Sequence, residues 1–252
     1  MNSNIIEFIG PPGIGKSTIY KSLCKKWNAQ ANWTHEDRLL LTKKPPVSNT
    51  KVWLEYQVKK IIKKNGSNNI QVDYGLRFAE RNKALAQFLW DHLSCSNTYG
   101  TEEIGKKLRS AYFLFRDFCR YQAIWDINSD KPCLIEEGLL VKSFLILPDE
   151  HAMTNLIEEY VPLLVLPRAV FYINTMNIDL IVDRLLTRKK IIASHKGKDR
   201  NSLLADIQKW QFLYKLIIKK LEQFKVPVYC IDGLRPVEEN VILINDLLSK
   251  QL

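Results

Sequence analysis

Residues 5–18 read IIEFIGPPGIGKST. An apolar run leads into a loop of Gly and Pro, and the loop ends in Lys16-Ser17-Thr18. Residues 10–17, GPPGIGKS, satisfy the phosphate-loop pattern G-x-x-x-x-G-K-[ST] in full. A Gly/Pro turn that matches by accident needs no particular flanks. Here an apolar strand pattern precedes the loop, and the helical pattern STIYKSLCKKW follows it. Strand, loop and helix in that order are the setting in which the pattern binds phosphate.

The chemistry follows from the residue types. Gly10, Gly13 and Gly15 let the backbone turn tightly, with no Cβ between it and an anion. The loop through Ile14 and Gly15 then presents N–H groups, and the start of the helix adds its dipole. Lys16 is expected to reach the β- and γ-phosphates, Ser17 to ligate Mg²⁺, and Thr18 to hold the α-phosphate.

Four more segments read as short buried strands: roughly 32–35 (NWTH), 133–135 (CLI), 169–173 (AVFYI) and 228–231 (VYCI). Only its position supports NWTH, which is polar. Helical patterns separate the strands, so an α/β fold with a parallel sheet and helices on both faces is expected. Residues 38–131 carry no convincing strand. VWLEYQVKKIIKK, YGLRFAERNKALAQFLWDHL and IGKKLRSAYFLFRDFCRYQAIWDI each space apolar residues as a helix does. KKPPVSN, KNGSNN and SCSNTYGT punctuate them. This reads as a helical insert of a single 252-residue domain. NIDLIVDRLLTRKK reads as a helix carrying Arg184 and Arg188, and 189–200 as a mobile lid loop. A long helix is expected from about 199 to 224, and a last one over 236–248.

Lys and Arg outnumber Asp and Glu by 37 to 27, a net charge of +10 that suits anionic partners or a solubilising surface. The basic residues are spread out, which argues against a polybasic tail. Five cysteines without metal-ligand spacing argue against a disulfide framework or zinc site and point to a reducing, cytoplasmic setting. The longest apolar run, VPLLVLP, is too short to span a bilayer.

With these residues in view, the chain resembles the P-loop nucleoside and nucleotide kinases, nearest in layout to thymidylate kinases and deoxynucleoside kinases. The resemblance implies a three-layer fold with sheet order 2-3-1-4-5, ATP and Mg²⁺ as cofactors, and γ-phosphoryl transfer to an acceptor. It implies that Glu136 or Glu137, in CLIEEGLL, supports Mg²⁺, although such kinases more often carry Asp there. It implies that Glu36 or Asp37, in THEDRLL, activates the acceptor hydroxyl. A helix N-cap explains Asp37 equally well, and His35 reads as a packing or hydrogen-bonding residue. Arg184 and Arg188 match the lid arginines that neutralise charge during transfer, although cations also favour helix C-termini in general. Asp232, in IDGLRPVEENV, falls in the loop that lies near adenine.

The acceptor is expected in the insert. Arg77 with Arg81, and Arg116 with Arg120, sit four residues apart on helical patterns among aromatics. Core packing explains the aromatics as well. No thymidylate kinase substrate signature is found. A small, anionic or sugar-containing acceptor is expected: a nucleoside, a nucleotide or a glycan intermediate. A regulatory ATPase switch and a polynucleotide 5′-hydroxyl kinase are the rival readings. A homodimer is compatible with the chain.

Overall fold

The computed structural model describes residues 3–28, 30–36, 50–51, 53–54, 72–94, 104–127, 129–188 and 197–250. Five parallel strands form one sheet in the order β2-β3-β1-β4-β5. They are β1 (Ile5–Ile9), β2 (Thr34–His35), β3 (Cys133–Glu136), β4 (Ala169–Asn174) and β5 (Val228–Asp232). Eight helices are numbered among the described residues: α1 (Lys16–Lys26), α2 (Val72–Arg81), α3 (Lys83–Ser94), α4 (Ile104–Ile127), α5 (Glu150–Tyr160), α6 (Ile178–Leu186), α7 (Arg200–Gln223) and α8 (Val237–Lys250).

β1 is central and buried along its whole length. Its side chains alternate between two cores, as the period of a strand requires. Ile6 and Phe8 join Ile19, Leu23, Val241 and Ile244, from α1 and α8. Ile5 and Ile9 join Tyr121, Ile157 and Leu213, from α4, α5 and α7. The result is the three-layer α/β/α arrangement with a helical insert between β2 and β3 that the sequence predicts. Glu7 shares the second face and is 1% exposed, a charged exception in the middle of the sheet.

Three elements differ from expectation. β2 holds two residues and not four; before it, Asn32 donates its side-chain amide to the Leu248 carbonyl (2.6 Å). α6 stops at Leu186, so Arg184 and Arg188 do not share a helix. Thr187 is its C-cap, with N–H and hydroxyl both bonded back to the Asp183 carbonyl (3.0 and 2.9 Å), and exposed Arg188 lies beyond. α5 was not anticipated as an element. Its signals are the Asp149 N-cap, which accepts from the His151 and Ala152 N–H groups, and Met153, Leu156, Ile157 and Tyr160 buried at helical spacing.

The caps elsewhere follow local rules. α7 begins at Arg200 because Asp199 accepts from the Ser202 N–H (2.8 Å). α8 begins after Pro236, where a missing N–H costs nothing. No helix among the described residues is long and apolar enough to cross a membrane.

Candidate active site

The loop of residues 10–15 joins β1 to α1 at the C-terminal ends of the strands, where open α/β sheets bind their ligands. A Cβ on Gly10 would lie 2.2 Å from the Ile173 carbonyl oxygen of β4, so no larger residue fits there. Gly13 and Gly15 have φ values of 87° and 101°, in the left-handed region that disfavours a side chain. Gly15 is the N-cap of α1, so the first amides of that helix face the loop without intrahelical acceptors. The Thr18 N–H turns back to the Gly15 carbonyl (3.0 Å), and Ser17 and Thr18 expose their side chains. Buried Ile14 anchors the loop from beneath.

Two supports for the loop come from distant sequence. The Tyr214 hydroxyl on α7 donates to the Gly10 carbonyl at 2.6 Å. Gly233, after β5, packs so closely on Ile14 that a Cβ there would lie 2.6 Å from Cγ1. Asp232 caps that second loop by accepting from the Leu234 N–H (2.9 Å), which sets the β5 loop against the phosphate loop. Arg184 donates to the Ile14 carbonyl at 3.2 Å. Arg184, one of the two arginines expected in the lid, is therefore at the loop, held from α6.

β3 is the direct neighbour of β1, with Phe8 in register with Glu136. This register delivers the two carboxylates of CLIEEGLL to the phosphate loop and separates them. Glu136 accepts a short hydrogen bond from the Ser17 hydroxyl. Glu137 takes Lys16, with Nζ to Oε1 at 2.7 Å. Lys16 is 6% exposed and also reaches the Gly10 carbonyl (3.4 Å). Desolvation raises the Glu137 carboxyl, but Lys16, then Lys142 and Arg120, outweigh it and hold the group below the ordinary carboxylate range. Glu137 has φ 54°, an uncommon conformation for a residue with a side chain.

The contacts that hold this turn were illegible in the sequence. Arg120 of α4 donates to the Glu137 carbonyl (2.6 Å) and more weakly to that of Glu136 (3.5 Å). The same guanidinium binds Glu36 after β2 (3.0 Å) and Asp117 (3.0 Å). Asp117 also accepts from Lys142. Burial works against the Arg120 charge, but Glu36 and Asp117 hold its pKa above the ordinary value. Beneath the turn, Glu7 accepts from the Gly138 N–H (3.1 Å) and from the Tyr121 hydroxyl, which accepts from the Leu139 N–H (3.0 Å). Burial pushes the Glu7 carboxyl up, and the Tyr121 bond, Lys142 and Arg120 offset this only in part.

The arginines proposed for the acceptor separate. Arg120 joins the site. Arg116, one turn away on α4, is exposed, with its guanidinium 4.9 Å from the Phe113 ring centroid. Arg77 and Arg81 are not brought to the loop. Both meet Asp126 (2.7 and 3.9 Å), near the end of α4 that leads into the start of β3. α4 and β3 run in opposite directions, so that end lies about 9 Å along the helix from Arg120. The pair serves to hold α2 on α4. His35 packs edge-on against Trp27 (5.8 Å), as a packing residue would. Asp37 and most of the lid loop, 189–196, lie outside the described residues.

No group of three or more His, Cys, Asp or Glu among the described residues could hold a metal by itself. The Ser17 hydroxyl beside the Glu136 carboxylate is nevertheless the oxygen set that fits Mg²⁺ shared with nucleotide phosphates, which needs few protein ligands.

No protein-family model matches the chain, and no curated protein matches it. Among solved structures, the chain is similar to shikimate kinase from Bacteroides thetaiotaomicron. The identity is 13% over 97% of this chain and 97% of that one, with a TM-score of 0.37. At that score the likeness carries no weight, and the fold rests on the sheet order and loop geometry described above.

Proposed function

We propose that the chain is a P-loop kinase that transfers the γ-phosphoryl group of Mg·ATP to a small acceptor. The observation that carries the reading is the direct pairing of β3 with β1. It sets Glu136 on Ser17 and Glu137 on Lys16, while Arg120 ties the Glu36 carboxylate to the same strand ends. In this reading the loop is the phosphate seat and Glu36 the acceptor-side carboxylate. A nucleotide switch needs the first of these and has no use for the second.

In this reading the loop amides and Lys16 hold the β- and γ-phosphates, and Arg184 and Arg188 close over them from α6 and the segment after it. Ser17 and Glu136 would hold Mg²⁺, which when bound neutralises the phosphate oxygens and orients them for in-line transfer. Glu36 orients the acceptor. Asp37 keeps its place as the other candidate base. The β5 loop at Asp232 lines the adenine side.

Purified protein with γ-labelled ATP and pools of nucleosides, nucleotides and sugars tests the proposal. Labelled acceptor is expected, and Lys16→Ala is expected to lower turnover at least 100-fold with the fold retained. Label appearing only as inorganic phosphate would mark a switch or ATPase instead. Near-normal turnover in Lys16→Ala would remove that residue from the site.

A further inference from the structure

We propose that the tip of the helical insert docks on the anionic surface of a phospholipid bilayer. Docking of this kind is independent of the kinase chemistry proposed above.

Charge selects the partner. Residues 38–131 hold 17 of the 37 Lys and Arg but only 9 of the 27 Asp and Glu, so the insert carries +8 of the net +10. Charge placed only for solubility would follow chain length, and the insert is well under half of the chain. The bias toward the insert marks it as the part that meets an anion.

The fold makes this bias a surface. α4 runs opposite to β3, and Arg120 lies level with the strand ends beside the phosphate loop. The first half of α4 therefore projects past that edge, with Ile104 about 24 Å along the helix from Arg120. Two neighbours end at the same tip. α2 runs alongside α4 in the same direction, since Gly75 abuts Phe115 and Cys119 while Arg77 and Arg81 reach Asp126. Its first residue, Val72, thus lies toward the tip. α3 returns the other way and ends where Lys107 donates to the Ser94 carbonyl (3.3 Å).

On α4, Ile104, Leu108 and Tyr112 form one row, four residues apart, and each is more than half exposed. Val72 of α2 and Trp90 of α3 are exposed to the same degree. Arg116 extends the row, and Arg109 flanks it. Their guanidinium carbons lie 4.9 and 5.6 Å from the Phe113 ring centroid, so one ring steadies two cations beside the apolar row. From Ile104 to Arg116 the sequence IGKKLRSAYFLFR has two lysines, two arginines and no carboxylate. An apolar row flanked by cations is the pattern of a helix that lies in a lipid interface. The apolar groups enter among the acyl chains, and the arginines stay with the headgroup phosphates.

The same features weigh against other occupants. A second copy would bring +8 against +8. Single-stranded nucleic acid needs open aromatic faces for its bases. Phe113 already carries two guanidiniums, and Ile104, Leu108 and Val72 have no ring.

The test sediments full-length protein with vesicles of phosphatidylcholine alone and of equal parts phosphatidylcholine and phosphatidylserine. Binding is expected only to the mixed vesicles, and it should fall as salt is raised from about 0.1 to 0.5 M. Each cation near an anionic surface contributes about fivefold in affinity, so Arg109→Glu with Arg116→Glu should weaken binding at least about 25-fold. Leu108→Ser should weaken it about fivefold or more. All three residues are exposed, and an unchanged Tm separates these losses from misfolding. Equal binding to both vesicles, binding to neither, or binding undiminished in both variants would overturn the proposal. Oligonucleotide binding or self-association that the variants lose, with no vesicle binding by the wild type, would overturn it in favour of nucleic acid or a second copy.

Discussion

If Lys16 binds a nucleotide phosphate as proposed, Glu137 competes for it, and Glu137→Gln measures that competition. The ion pair is 2.7 Å long, between a lysine 6% exposed and a carboxylate side chain 64% exposed. The lysine is dry, and the carboxylate, although crowded by the protein on one side, keeps most of its side chain in contact with water, so solvent screens much of the Coulomb attraction. A pair of this kind contributes about 1 kcal/mol. Neutralising it returns that amount to nucleotide binding, a gain of about fivefold in affinity. The assay is calorimetric titration with ADP without divalent cation, which removes the metal from the comparison. Glu136→Gln is the control: its metal-free affinity should stay at the wild-type value, and its gain on adding Mg²⁺ should fall. Unchanged or weaker metal-free binding in Glu137→Gln would refute the competition. The same pair has a signature in pH. The folded state holds the Glu137 carboxyl below its ordinary value, so the group's contribution to stability is complete above about pH 4.5 and is lost as pH falls through the lowered value. Glu137→Gln should flatten that part of the stability profile.

Further variants test the supports of the site. Tyr121→Phe removes the hydroxyl that serves both Glu7 and the Leu139 N–H, and should cost about 1–3 kcal/mol in denaturant unfolding. Because the loss falls on the ionised form of Glu7, whose pKa burial has already raised, it should shrink as pH is lowered. Gly10→Ala drives a Cβ to 2.2 Å from the Ile173 carbonyl oxygen in β4 and should cost about 3 kcal/mol or more. Gly15→Ala meets nothing within 4 Å and should cost about 1–3 kcal/mol from its left-handed backbone. Equal midpoints for these two glycine variants would contradict the close packing of Gly10 on β4. Tyr214→Phe removes the bond to the Gly10 carbonyl. It should lower Tm by about 2–4 °C per kcal/mol lost and weaken ADP binding, since the loop loses a tether; a change in neither would show that the bond does not hold the loop.

Much of the protein was legible in short windows of sequence. GPPGIGKS named the loop because turn, helix start and anion binding are all properties of neighbouring residues. The buried strands on either side of the helices gave the α/β class for the same reason. α6 misled because Arg184 and Arg188 continue the helical pattern, while the helix ends at Leu186, between them. The partnerships across the site were not legible. Glu136 and Glu137 are alike in sequence, and the Phe8–Glu136 register together with the left-handed turn at Glu137 decides that one meets Ser17 and the other Lys16. Arg77, Arg81, Arg116 and Arg120 are alike in spacing. The direction of α4 against β3 lifts Arg120 to the strand ends and leaves Arg77 and Arg81 on Asp126. Local sequence determined the loop proposed to bind phosphate, because that loop depends on a few consecutive residues and their backbone amides. Only the tertiary structure decided which charges remain free around it, because each ion pair joins residues that the chain brings together from as many as 121 positions apart.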